Sequence, residues 1–189
     1  MKTSPRQLFR GLVVAAVAAY SGKVFADDDH HHEPSDVEFT VQAMPAGGAP
    51  VETVISSGGS ATIESTSAPT APNSFGWILI RSATPDLGFK YRTKVKGQPE
   101  EVTFVQDGNP SPAVMGTHIY GIMIELTGPL KDEYYLKYYT TTGHFNDAHI
   151  TPNGASLAGQ WSEIPPGYDM NTYWIHQLTV VVTKKTEHH

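Results

Sequence analysis

Ile164-Pro165-Pro166-Gly167-Tyr168, followed by Asn171 to Thr183 (NTYWIHQLTVVVT), is the stretch from which the fold can be read. A Pro-Pro-Gly turn opens into a segment whose even positions, Trp174, His176, Leu178, Val180 and Val182, are mostly apolar, while Tyr173, Gln177 and Thr179 are mostly polar. Successive side chains of a strand point to opposite faces, so this alternation describes a half-buried strand, which needs a sheet to enter. Near the other end the same form recurs. Val37, Phe39, Val41 and Ala43 alternate there with Glu38, Thr40 and Gln42.

Between these ends the chain reads as short strands parted by turns. Val51 to Ile55 and Ala61 to Ser65 are extended pieces around Ser56-Ser57-Gly58-Gly59-Ser60, and Ser65 to Asn73, with Pro69 and Pro72, is a loop. Phe75 to Arg81 (FGWILIR) is apolar on both faces, which predicts a central strand with Trp77 in the core. In Leu87 to Lys96, an apolar row (Leu87, Phe89, Tyr91, Val95) alternates with a basic one (Lys90, Arg92, Lys94, Lys96). Glu101 to Gln106, Thr117 to Thr127 and Glu133 to Thr142 follow as strands, with Asp107-Gly108-Asn109-Pro110 and Gly128-Pro129 as turns. No helix-period segment interrupts them. Strands at intervals of about ten residues predict an all-β fold, an antiparallel β-sandwich.

The first 26 residues stand apart. Lys2, Arg6 and Arg10 precede a short apolar run, Leu12 to Tyr20, and Val24-Phe25-Ala26 has the form of a cleavage site, so 1–26 reads as a signal peptide. The run is shorter than the about 20 residues that span a bilayer, and the expected product is an exported, secreted protein. Four of the 13 basic residues (Lys2, Arg6, Arg10, Lys23) and none of the 19 acidic ones lie in that segment; the remainder carries 9 basic against 19 acidic, a net charge of −10. Such a balance argues against a nucleic-acid partner. The chain has no cysteine, which removes thiol catalysis, thiolate metal sites and the disulfides that hold many small secreted domains.

Several residues are candidates for chemistry or contact. Asp27 to Asp36 (DDDHHHEPSD) is a polar leader in which His30, His31 and His32 stand beside carboxylates, a set suited to weak, exchangeable binding of Zn²⁺, Cu²⁺ or Ni²⁺; no other cofactor is expected. The row Lys90, Arg92, Lys94 fits either an anionic glycan or lipid headgroup, or an edge strand guarded by lysines against unwanted pairing. Tyr134, Tyr135, Tyr138 and Tyr139 lie on both faces of one strand, which makes some of them candidates for a ligand or subunit surface. His144, Asp147 and His149 have the spacing of a metal or acid–base cluster, but in a Gly/Asn-rich stretch read as a loop. No nucleophile elbow, H-E-x-x-H, P-loop or dinucleotide fingerprint is present, and an enzyme is not expected.

The signal peptide, the alternating segment Val37 to Ala43, the strand Gly76-Trp77-Ile78-Leu79-Ile80, and the ending Ile164-Pro165-Pro166-Gly167 with Tyr173 to Val182 together give the chain a family likeness. It resembles the pilin subunits of bacterial chaperone–usher fimbriae, in particular the cysteine-free kind that form thin surface fibres. The resemblance implies an immunoglobulin-like sandwich lacking its final strand, filled first by a periplasmic chaperone and then, at an outer-membrane usher, by the arm of a neighbouring copy. On that reading Val37, Phe39, Val41 and Ala43 are the donor side chains, and Leu178, Val180 and Val182 lie on the last strand, beside the groove. It makes the protein a structural subunit of a cell-surface fimbrium with an adhesive role toward host or surface glycans. The residues themselves leave two placements for the arm, its own domain or the next subunit. They also leave a rival reading, a monomeric secreted or periplasmic sandwich that binds a metal or small ligand through its histidines. The expected organisation is a signal peptide over 1–26, a leader and arm over 27–45, the sandwich over 46–183 and a polar tail over 184–189.

Overall fold

The alternating stretches do become strands. The computed structural model describes residues 36–48, 51–65, 74–99, 104–112, 117–144, 147–169 and 172–186, leaving aside the side chains of 144 and 147–151, and all of these residues fall in one unit spanning 32–189. In chain order the strands are β1 (Phe39–Pro45), β2 (Glu52–Ile55), β3 (Ser60–Glu64), β4 (Phe75–Ser82), β5 (Gly88–Val95), β6 (Val105–Gln106), β7 (Ile119–Thr127), β8 (Tyr134–His144), β9 (Asp147–Pro152), β10 (Ser156–Leu157), β11 (Ser162–Glu163) and β12 (Tyr173–Lys184). A 3₁₀ turn, Pro129–Glu133, joins β7 to β8. The fold is all-β and sandwich-like, and its strands pair antiparallel throughout.

Three ladders carry the strands: β2-β1-β4, β11-β7-β5-β6 and β10-β8-β12-β3, with β9 also on β8. They share one core. Phe39, Val41, Ile63, Ile78, Ile80, Phe89, Tyr91, Ile122, Ile124, Tyr138, Leu178, Val180 and Val182 are all fully buried in it. The inward rows of β1, β5 and β12 are those that the alternation picks out.

Two corners join the ladders by the same device. In the first, Gly108 and Ser111 donate their N–H groups to the carbonyls of Ile80 and Ile78 on β4, at 2.8 and 2.7 Å. The Tyr91 hydroxyl, reaching from β5, accepts the Ile80 N–H at 3.0 Å and donates to the Asn109 carbonyl. In the second corner, Gly159 donates to the Ile124 carbonyl on β7 at 2.9 Å, and Ser162 pairs with Ile122. There the Tyr138 hydroxyl, reaching from β8, accepts the Ile124 N–H at 3.3 Å and donates to the Gln160 carbonyl. Gly108 and Gly159 have φ of 74° and 77°, left-handed values that favour glycine. The matching sequences are Phe89-Lys90-Tyr91-Arg92-Thr93 with Leu136-Lys137-Tyr138-Tyr139-Thr140, and Gly108-x-x-Ser111 with Gly159-x-x-Ser162. The chain therefore contains one strand–strand–corner unit twice.

Four expectations need correction. β5 lies between β7 and β6 and is no edge strand, so its basic row does not guard an edge. Trp77 is half-buried and stands opposite Met44 in the β1–β4 pair, outside the core, because the inward positions of β4 are Ile78 and Ile80. The 147–152 segment, read as loop, forms β9 against β8. The last strand runs through Lys184, and Lys185 continues the fold by donating its N–H to the Glu133 carbonyl at 2.8 Å, so the tail begins later than its polarity suggests.

Candidate functional site

β1 is the candidate arm, and it sits in its own domain. It pairs with β2 on one side (Val41↔Val54, Gln42↔Thr53) and with β4 on the other (Val41↔Ile80, Ala43↔Ile78), which makes it the middle strand of its ladder. Val37, Phe39, Val41 and Ala43 are no more than 2 % exposed. The Phe39 ring lies 5.3 Å from that of Phe89, inclined by 56°. At the entry of the arm the Ser56 hydroxyl accepts the Phe39 N–H at 2.8 Å and donates to the Val37 carbonyl at 3.2 Å, while the Thr84 hydroxyl accepts the Glu38 N–H at 3.0 Å, so the arm is pinned from both sides.

The three residues assigned to the groove edge are elsewhere. Leu178, Val180 and Val182 face the core from β12, which runs between β8 and β3 in a different ladder. The two ends of the chain share a core without pairing, because the ladder neighbours of β1 are β2 and β4. Ladder neighbours are chosen by long-range register, which alternation alone does not encode.

The basic row forms a continuous run of contacts with two aromatic rings. Lys90 Nζ stands 4.6 Å and the Arg92 guanidinium 4.8 Å from the centre of the Phe104 ring; Arg92 and Lys94 stand 5.0 and 4.7 Å from the Trp161 ring. Each cation is thus shared with an aromatic face. Lys90 also pairs with Glu125 and Lys94 with Glu163, both at 2.8 Å, and Arg92 Nε donates to Met123 Sδ at 3.3 Å. Two lysine charges are therefore already neutralised. The row ties β5 to the Phe104 and Trp161 segments before it can serve a ligand.

Of the four tyrosines, Tyr138 is the buried corner residue and Tyr134 packs against the core, while Tyr135 and Tyr139 face outward at 51 and 37 % exposure. Burial pushes the Tyr138 phenol up to about 12, and the same cause does so for Tyr91. Beside Tyr135 opens a concavity of about 730 Å³ lined by Lys90, Glu125, Tyr134, Leu157 and Lys185 among others. Its cations have partners: Lys131 pairs with Asp132 at 2.9 Å, and Lys185 donates to the Asp132 carbonyl at 2.8 Å while standing 5.0 Å from the Tyr135 ring.

A polar cluster that the sequence reading missed lies near the start of β12. Ser74 Oγ and His118 Nδ1 share a hydrogen bond of 2.6 Å, the His118 ring stacks 5.0 Å from Trp174, and Ser65 donates its N–H to the His176 carbonyl at 2.7 Å. The β12–β8 register shifts at His176, a bulge that buries Trp174, Ile175 and His176 in succession. His176 Nε2 is buried with no hydrogen-bond partner, and its Nδ1 lies 3.9 Å from Glu64 Oε1. Burial lowers the pKa of both histidines; Lys96 lowers that of His118 further, and Glu64 partly opposes the shift at His176. Ser74 is fully buried, so its hydroxyl serves the internal bond to His118. The bulge is the signal that a strict two-residue reading of 171–183 passes over.

His30, His31 and His32 lie outside the described residues. The backbone brings His144 opposite Asp147 in the β8–β9 pair, their side chains and that of His149 being outside the description. Among the described residues no group of three or more His, Cys, Asp or Glu side chains is arranged to hold a metal ion, and no helix is long and apolar enough to cross a membrane. Comparison with protein-family models, with curated proteins and with solved structures returns no match.

Proposed function

We propose that the protein is a structural subunit of an extracellular fibre, joined copy to copy by its N-terminal strand. The observation that carries this reading is the seat of β1: an N-terminal segment fills the gap between β2 and β4 with four inward side chains and is followed by the link over 46–51. A segment so placed is exchangeable. The same seat accepts the identical segment of a second copy, because strand exchange keeps every contact and alters only which chain supplies it. Burying a large apolar side chain stabilises by about 1.5–3 kcal/mol, and Phe39, Val41 and Val37 supply three of them, so an exchanged joint is durable without a disulfide. Export, a periplasmic chaperone and an usher belong to the same proposal. An adhesive contact with glycans would fall to the exposed Tyr135 and Tyr139.

The test uses the natural lack of cysteine. Gln42 and Thr53 are cross-strand neighbours whose side chains already meet, Gln42 Nε2 donating to Thr53 Oγ1 at 3.2 Å. The pair Gln42→Cys and Thr53→Cys, oxidised within one chain, fixes β1 in its own domain. The unmodified protein is expected to give SDS-resistant multimers. The oxidised pair should give monomer, with multimers returning on reduction before assembly. Multimers that form unchanged with β1 locked, or an unmodified protein that stays monomeric, would overturn the proposal.

A further inference from the structure

The outer edge of β2 carries a second association surface, one that does not depend on strand exchange. Among the described residues β2 pairs only with β1. Ser56 donates its N–H to the Phe39 carbonyl, and the register continues through Val41↔Val54. Backbone groups alternate in direction along a strand, so Val54 turns its own toward β1, and Val51, Thr53 and Ile55 turn theirs away. Those three side chains are also the exposed ones, with Val51 at 46 % and Ile55 at 71 %.

Edges of this kind are usually blunted by lysines, prolines, bulges or extreme shortness. β6, β10 and β11 are two residues each. β2 has four residues, no lysine or proline, and no register shift against β1. Its sequence is also complementary to itself. Two copies of Val51-Glu52-Thr53-Val54-Ile55, run antiparallel about a twofold axis at Thr53, set Val51 of each against Ile55 of the other and Thr53 against Thr53. Glu52 then faces Val54 of the second copy, so no like charges meet. A strand of unrelated sequence gains the backbone pairing alone; a second copy gains both β-branched pairs as well.

We infer that the protein self-associates edge to edge through β2, extending the ladder to β4-β1-β2-β2-β1-β4 across an isologous twofold. With so short a seam the association is of the transient kind.

Sedimentation of the purified chain over about a hundredfold range of concentration reads the association. A monomer–dimer equilibrium is expected. Ile55→Lys should weaken it at least about tenfold by setting an ammonium against Val51. Adding Val51→Glu to that variant should restore it, because the antiparallel register places each new carboxylate opposite a new ammonium. Ile55 is largely exposed, so these variants are expected to fold, and circular dichroism checks that they do. Monomer at every concentration, a dimer indifferent to Ile55→Lys, or a folded double variant that stays weakened would each overturn the inference. Strand exchange is scored separately: it gives SDS-resistant multimers lost on locking β1, whereas the β2 seam dissociates in SDS and is read in the natural chain by its response to Ile55→Lys.

Discussion

The ring of Phe39, on the first strand, meets that of Phe89, on the fifth, at 5.3 Å and 56°. This tilted pair anchors the N-terminal segment with its largest buried side chain. Phe39→Ala removes it and leaves a cavity, and truncation of a buried phenylalanine costs about 3–5 kcal/mol. Urea denaturation should show that loss, and multimers should fail to form in the same variant. Thr40→Ala, on the opposite face of β1, should leave both within about 0.5 kcal/mol of the natural chain.

The two corners differ at their threonines, Thr93 and Thr140. Thr140 Oγ1 and Ser162 Oγ stand 2.7 Å apart, whereas Thr93 Oγ1 is buried without a partner and the Ser111 hydroxyl is taken by the Ile78 N–H at 3.0 Å. Thr93→Val should therefore stabilise the protein, and Thr140→Val should destabilise it, each by about 1 kcal/mol. Thermal denaturation of the two variants side by side reads the opposite signs.

His176 and His118 have pKa values below the ordinary histidine value in the folded state. A lowered folded value means that the unfolded chain binds more protons in the window between the two, so stability rises with pH there. Their contribution is complete above the unfolded histidine value of about 6.5 and is lost as the pH falls through that window. The urea midpoint should drop on acidification from neutral pH, and His176→Gln should flatten the drop.

The tyrosines act at the other end of the scale. With Tyr91 and Tyr138 pushed up to about 12 by burial, the folded protein keeps protons that the unfolded chain sheds near 10. Their contribution is complete below about 10 and is lost as the pH rises toward 12. An absorbance titration of tyrosinate should show two phenols ionising late, together with the loss of near-ultraviolet dichroism. Tyr138→Phe should separately lower the urea midpoint at neutral pH, since the Ile124 N–H and the Gln160 carbonyl lose their partner, at a cost of about 1–3 kcal/mol.

The strands were legible because alternation is local. Val37 to Ala43, Leu87 to Val95 and Tyr173 to Val182 announce their inward rows with no knowledge of their neighbours. What could not be read was which strand lies beside which: β1 takes β2 and β4, and the basic strand lies inside its ladder rather than at the edge. Those choices are made by contacts across tens of residues. The doubled unit was within reach, since the apolar-Lys-Tyr-x-Thr pattern at 89–93 and 136–140 and the Gly-x-x-Ser pattern at 108–111 and 159–162 are both visible in the letters. The partnerless Nε2 of His176 was not, because the residue fits the apolar row of β12 until the bulge turns it.

β12, the last described strand in chain order, runs between β8 and β3, so among the described residues their ladder is joined through it. A ribosome releases the chain from its N-terminal end, and β3 must wait for more than a hundred further residues before its partner exists. Until then β3 and β8 cannot be joined into one ladder. The strand order thus holds β3 and β8 apart until β12 has been made, and the time available to any factor that must handle the chain with that seam open is written into it.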